Sequence, residues 1–190
     1  MSFLLRFGAW CGALSGLLIA LPGAVEAFTG ETAATSLLVG VSPALAAPLV
    51  TALHLTQPRT ALGVVGYAVN TVGLGLYGAA AYALNVVVFH LDDPVLAAPT
   101  RVVLLGSALV FAVGSALFGA AMLRAGAHPR VPAWAYTAAL PVFTLAAGLP
   151  DTPLTSALHV VVGAALVWLA RSVLAHGTRH PQHESYYTIR

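Results

Sequence analysis

Runs of about 20 uncharged, mostly apolar residues recur along this sequence, each long enough as a helix to cross roughly 30 Å of hydrocarbon. Only 7% of the 190 residues are charged while 59% are hydrophobic, against a charged fraction of about 25% in soluble domains. A water-facing surface cannot be built from so few polar groups. Lipid is therefore the implied solvent for most side chains. In lipid every backbone N–H and C=O must be satisfied within the chain, which predicts helices for these runs.

The spacing predicts six spans, at about Phe7–Phe28, Ser36–Leu55, Ala61–Phe89, Val102–Leu123, Val131–Leu149 and Pro153–Leu174. The third exceeds the length needed and is expected to tilt. The connections hold nearly all the turn chemistry, as in Gln57-Pro58-Arg59, Leu91-Asp92-Asp93-Pro94 and Pro150-Asp151-Thr152. Thr152 before Pro153 reads as an N-cap followed by proline at the first helical position. The predicted fold class is all-α, a six-helix transmembrane bundle over residues 1–175 with a polar cytoplasmic tail over 176–190.

Basic charge gives the expected orientation. The chain has eight arginines and no lysine. Alternating sides at each span groups Arg6, Arg59, Arg124, Arg130, Arg171, Arg179 and Arg190 and leaves Arg101 opposite, so the positive-inside rule predicts both termini in the cytoplasm. Trp10, Trp134 and Trp168 each lie close in sequence to an arginine of the majority side, as interfacial anchors would. A competing reading takes Arg6, the first apolar run and Val25-Glu26-Ala27 as a secretory signal with its cleavage site. A retained span is expected instead, because the run is long enough to cross.

Small residues predict close helix packing. Gly63, Gly66, Gly73, Gly75 and Gly78 lie in span three, and Gly106, Gly114 and Gly119 in span four. The segments Gly73–Ala80 and Gly114–Ala121 agree at five of eight positions, which either a duplication or ordinary membrane-helix composition explains. Prolines 22, 43, 48 and 141 fall inside spans, where each frees a carbonyl four residues back. Neighbouring helices are expected to satisfy those carbonyls.

Ionisable groups at depth are costly and face bundle interiors, so function is sought among them. Glu26 comes about 20 residues after Arg6, hence roughly 30 Å away and near the outer face. His159 is roughly 9 Å into span six from that same face. Asn85 and His90 close span three beside Asp92 and Asp93, with Arg101 following. Glu26, Asn85, His90, Asp92, Asp93, Arg101 and His159 thus form the candidate polar cluster. Glu26 and His159 could form a proton-handling or metal-binding pair, with Asp92, Asp93 or His90 nearby and Asn85 orienting a ligand, and the group would then have to converge on one cavity. The plainer expectation is an interfacial Glu26 paired with Arg101, and a His159 bonded only to a backbone carbonyl, which would remove the catalytic and carrier readings.

Other features predict less. His54 and His159 sit at opposite depths, so they do not ligate one haem between them. Asn70, roughly 14 Å into span three, is expected to hydrogen-bond another helix. Cys11 alone makes no disulfide framework and reads as a small core residue. His176, His180 and His183 share helical spacing, but Pro181 interrupts the helix, and no metal or cofactor is predicted. No phosphate-binding, nucleophile-elbow or zinc-protease motif occurs. Dispersed arginines and a net charge of +2 give no nucleic-acid surface.

The stretch Leu123-Arg-Ala-Gly-Ala-His-Pro-Arg-Val-Pro-Ala-Trp134 resembles the cytoplasmic connection in a loose set of small, uncharacterised bacterial multi-pass membrane proteins. Arginine, glycine, Pro-Arg and tryptophan recur there between consecutive helices. The resemblance covers about a dozen residues and implies a bacterial inner-membrane protein, with no catalytic residues to carry over. The expected function is a non-enzymatic accessory subunit or small-ligand-binding membrane component, with an enzyme or small transporter as the alternative. Its expected partners are the lipid bilayer and a second copy or another membrane protein.

Overall fold

A computed structural model describes residues 3–91, 96–147 and 152–179, with side chains described through His176. All the described elements are helical: α1 (Phe3–Thr29), α2 (Ala33–Leu55), α3 (Ala61–His90), α4 (Ala98–Ala125) and α6 (Pro153–Arg179). The fifth, α5, joins three consecutive pieces, Arg130–Trp134, Ala135–Ala139 and Leu140–Ala146. Five helices, α1 to α4 and α6, are long and apolar enough to cross a membrane.

The fifth predicted span is the irregular one. Pro141 has no N–H to give the Thr137 carbonyl four residues back, and the turn just before it, Ala135–Ala139, widens to π geometry. The end of α3 loosens as well, through a π turn at Ala83–Val87 and a 3₁₀ turn at Val88–His90. Elsewhere proline leaves the helix continuous. In α2 the Val39 carbonyl freed by Pro43 accepts a hydrogen bond of 2.8 Å from the Ser42 hydroxyl, the local repair expected in a membrane helix.

Threonine caps the starts of α2, α3 and α6. At α2 the Thr32 and Thr35 side chains each bond the other's backbone N–H. At α6 Thr152 does the same with Thr155, at 3.3 and 2.8 Å, as the Thr152-Pro153 pair predicts. Gly126 closes α4 in the left-handed conformation at φ 64°, which suits a residue without Cβ.

Each helix packs on its chain neighbours, and α6 returns against α1, so the six close into a ring. On α1 large residues face outward and small ones inward. Along α1, Trp10, Leu14, Leu17, Leu21 and Val25 are exposed, while Gly8, Gly12, Ser15, Gly16 and Gly23 are buried. That is the inverse of a soluble helix. Lipid tails solvate leucine as well as a protein core does, so association rests on close backbone approach. A side chain at Gly66 or Gly73 would strike the α4 backbone at Phe118 or Phe111, and one at Gly114 would strike α3 at Asn70. Gly75 and Gly106 face open space, so those two predicted packing glycines are not contacts within the chain. Inside the ring lie Leu49, Leu53, Phe118, Leu166 and Leu169.

Candidate functional site

Antiparallel neighbours bring the ends of α1, α3 and α5 and the starts of α2 and α6 to one end of the ring. A cavity of about 320 Å³ lies there. Glu26 reaches it from α1, Glu31 from the α1–α2 turn, Tyr77 and Asn85 from α3, Phe143 from α5, and Thr155 and His159 from α6. Gly23 lets α1 cross α6 at this level, because a Cβ there would collide with the His159 side chain.

Local structure positions each polar group. Asn85 sits in the π turn of α3, where its Nδ2 donates to the Ala81 carbonyl at 2.9 Å. The Ser36 hydroxyl has three acceptors in reach: Glu31 Oε1 at 2.8 Å, the Asn85 carbonyl at 2.9 Å and Asn85 Oδ1 at 3.2 Å. One serine thus ties α2 to α3 and to the turn before it. His159 Nδ1 donates to the Thr155 carbonyl at 2.8 Å, and its ring meets the Phe143 ring edge to face at 4.7 Å. With the proton on Nδ1, the neutral imidazole keeps a bare lone pair on Nε2.

Among the described residues the Glu26 carboxylate, the Tyr77 hydroxyl and His159 Nε2 have no hydrogen-bond partner. Tyr77 is held by its ring instead, stacked on Phe111 with centroids 5.2 Å apart. All three side chains are half-buried and lie on the wall of one cavity.

Of the seven sequence candidates, the structure brings Glu26, Asn85 and His159 together and leaves two elsewhere. His90 is exposed and packs against Phe89 at 5.2 Å. Arg101 is exposed and its Nε donates to the Leu96 carbonyl at 3.1 Å, so the expected pairing with Glu26 is not formed. Asp92 and Asp93 lie outside the described residues, as do His180 and His183 of the tail. Glu31 and Tyr77 are lining residues that sequence reasoning missed. Glu31 had a signal, since it stands one residue after the turn glycine Gly30 that follows Glu26's helix. Tyr77 had none, because an aromatic in a membrane helix faces lipid or interior with equal ease.

The cavity continues inward as a smaller apolar pocket that shares Val39, Tyr77, Ala81 and Phe143 with it and reaches Tyr136. There Asn70 Nδ2 donates to the Tyr136 hydroxyl at 2.8 Å, the interhelical bond predicted for Asn70. At the opposite end of the ring His54 stacks on Tyr67 with centroids 4.2 Å apart. Nearby, His128 in the α4–α5 turn is buried, with Nδ1 2.9 Å from the Ser172 hydroxyl and Nε2 3.3 Å from that of Thr56. Its imidazole stays neutral, with its pKa pushed down to about 4 by burial and further by the neighbouring His176. No group of three or more metal-ligating side chains occurs among the described residues.

No family model, no curated protein and no solved structure matches this chain.

Proposed function

We propose that this membrane protein binds a small ligand in the cavity walled by Glu26, Tyr77, Asn85 and His159. One observation carries the reading: the unpartnered Glu26, Tyr77 and His159 groups share a single cavity wall. Scattered across six helices they would be packing residues or interfacial groups; gathered on one wall, they can all be met by a single guest. The volume of about 320 Å³ falls at the small end of the range for small-molecule sites, about 300–1,000 Å³.

A binder is favoured over an enzyme or carrier. The His159 imidazole makes its side-chain hydrogen bond to Thr155 of its own helix, and among the described residues no carboxylate or hydroxyl is hydrogen-bonded to it as an acid–base partner. The arginine split supports both termini in the cytoplasm, which sets the cavity at the outer face. Arginine in place of lysine and an alanine-rich composition suit a bacterial inner membrane. In that setting the chain works as an accessory component, with a second copy or another membrane protein beside it.

Filling the cavity tests the reading. Ala146 lies on its wall, and Ala146→Phe would occupy it from α5. In a thermal-shift panel of small molecules on purified full-length chain, some compounds are expected to raise the Tm of the wild type and not of Ala146→Phe. Identical responses from the two proteins to every compound would end the proposal.

A further inference from the structure

We infer that the guest of this cavity carries a small organic ammonium group. The inference rests on the ligand-binding reading above and names its chemical class.

Charge is the first argument. Glu26 lies on the wall with no partner among the described residues, Glu31 adds a carboxylate already engaged by Ser36, and no arginine is among the described lining residues. Hydrogen-bond polarity is the second. In the neutral imidazole the Nδ1 proton held by the Thr155 carbonyl leaves His159 Nε2 as an acceptor, and the Glu26 carboxylate only accepts. Asn85 spends one N–H on Ala81 and keeps one, the Tyr77 hydroxyl can give or receive, and the Thr155 hydroxyl donates to the Thr152 carbonyl at 2.8 Å. The free capacity of the wall is therefore mostly for receiving hydrogen bonds, which suits a donor with several N–H groups.

Shape is the third. The rings of Tyr77 and Phe143 both line the space, and aromatic faces attract an ammonium that has shed part of its water. An anion would meet the unpartnered Glu26 carboxylate and would find few donors. A bare metal ion would leave most of a volume of about 320 Å³ unfilled and would ignore the rings.

An ammonium can arrive as a free amine or on a lipid headgroup, and both present the same chemistry at this depth. Titration calorimetry on the full chain in dodecylmaltoside micelles, which carry no ammonium, uses three probes of similar size: benzylammonium, benzyl alcohol and benzoate. Benzylammonium is expected to bind saturably and the other two at least 10-fold more weakly. Glu26→Gln is expected to weaken benzylammonium at least 10-fold with wild-type thermal stability, and Glu31→Gln to weaken it independently should the first variant fold poorly. Phosphatidylethanolamine added to the micelles then separates the sources: competition assigns the cavity to a headgroup, and unchanged affinity to a free amine. Equal or tighter binding of benzoate or benzyl alcohol overturns the cation assignment. So does benzylammonium binding that neither glutamine variant weakens, or no benzylammonium binding at all. The ligand-binding reading falls separately, only if the wider panel also fails to distinguish wild type from Ala146→Phe.

Discussion

Gly16 of α1 and Gly163 of α6 face each other across the ring so closely that a Cβ on either would collide with the carbonyl oxygen of the other. The relationship is reciprocal, which marks the tightest kind of crossing two helices can make. Val167 flanks it on α6 and Ala20 on α1. This crossing closes the ring between the first helix and the last, and Gly23 repeats the device farther along α1 at His159.

Substitution at this crossing should be costly in proportion to the backbone it displaces. Gly16→Leu and Gly163→Leu are each expected to destabilise the protein by about 1–3 kcal/mol or to prevent folding, the usual cost of overpacking. Gly75→Leu and Gly106→Leu, which meet open space, should stay within about 0.5 kcal/mol of wild type. Thermal unfolding in detergent checks all four, and a Gly16→Leu protein as stable as Gly75→Leu would remove the crossing from the fold's essentials.

The Asn70–Tyr136 bond joins α3 to the π turn of α5 in the core, and Asn70 Oδ1 has no partner. Tyr136→Phe should therefore cost about 1–2 kcal/mol, because it strands the amide donor as well. Asn70→Leu with Tyr136→Phe is expected to cost less than the sum of the single changes. Strict additivity in the double-mutant cycle would show that the two side chains do not act as a pair.

His128 gives stability a pH dependence. Its folded pKa of about 4 lies below the ordinary 6.5, so between those values the unfolded chain takes up a proton that the folded chain refuses. The contribution is complete above pH 6.5 and is lost as pH falls from 6.5 toward 4, on the order of 1–3 kcal/mol in total. Unfolding measured across that window should show wild type losing more stability than His128→Asn. Parallel curves for the two proteins would place the acid sensitivity elsewhere.

The arginine count predicts an orientation. A reporter fused after Arg190 should register cytoplasm, and one inserted after Asp92 should register the outside. Both on one side would contradict the three crossings expected between Asp92 and Arg190, and with them the placement of the cavity at the outer face.

The sequence alone determined solvent, element type and approximate ends, since long uncharged runs can satisfy their backbone in lipid only as helices. Thr152-Pro153 marked the start of α6 to the residue for the same local reason, a cap that depends on neighbours in the chain. Polar residues at matched distance from the predicted outer face singled out Glu26, Asn85 and His159, because depth along a helix is arithmetic. Rotation about the helix axis is not. With apolar residues on every side, nothing in the sequence distinguished the inward-facing Gly66 from the outward-facing Gly75, or turned Tyr77 toward the interior. The tertiary structure decided those faces through backbone crossings such as Gly16 on Gly163, and through the π turn ahead of Pro141. It also sent Arg101 to Leu96 instead of Glu26, leaving that carboxylate unpaired on the cavity wall.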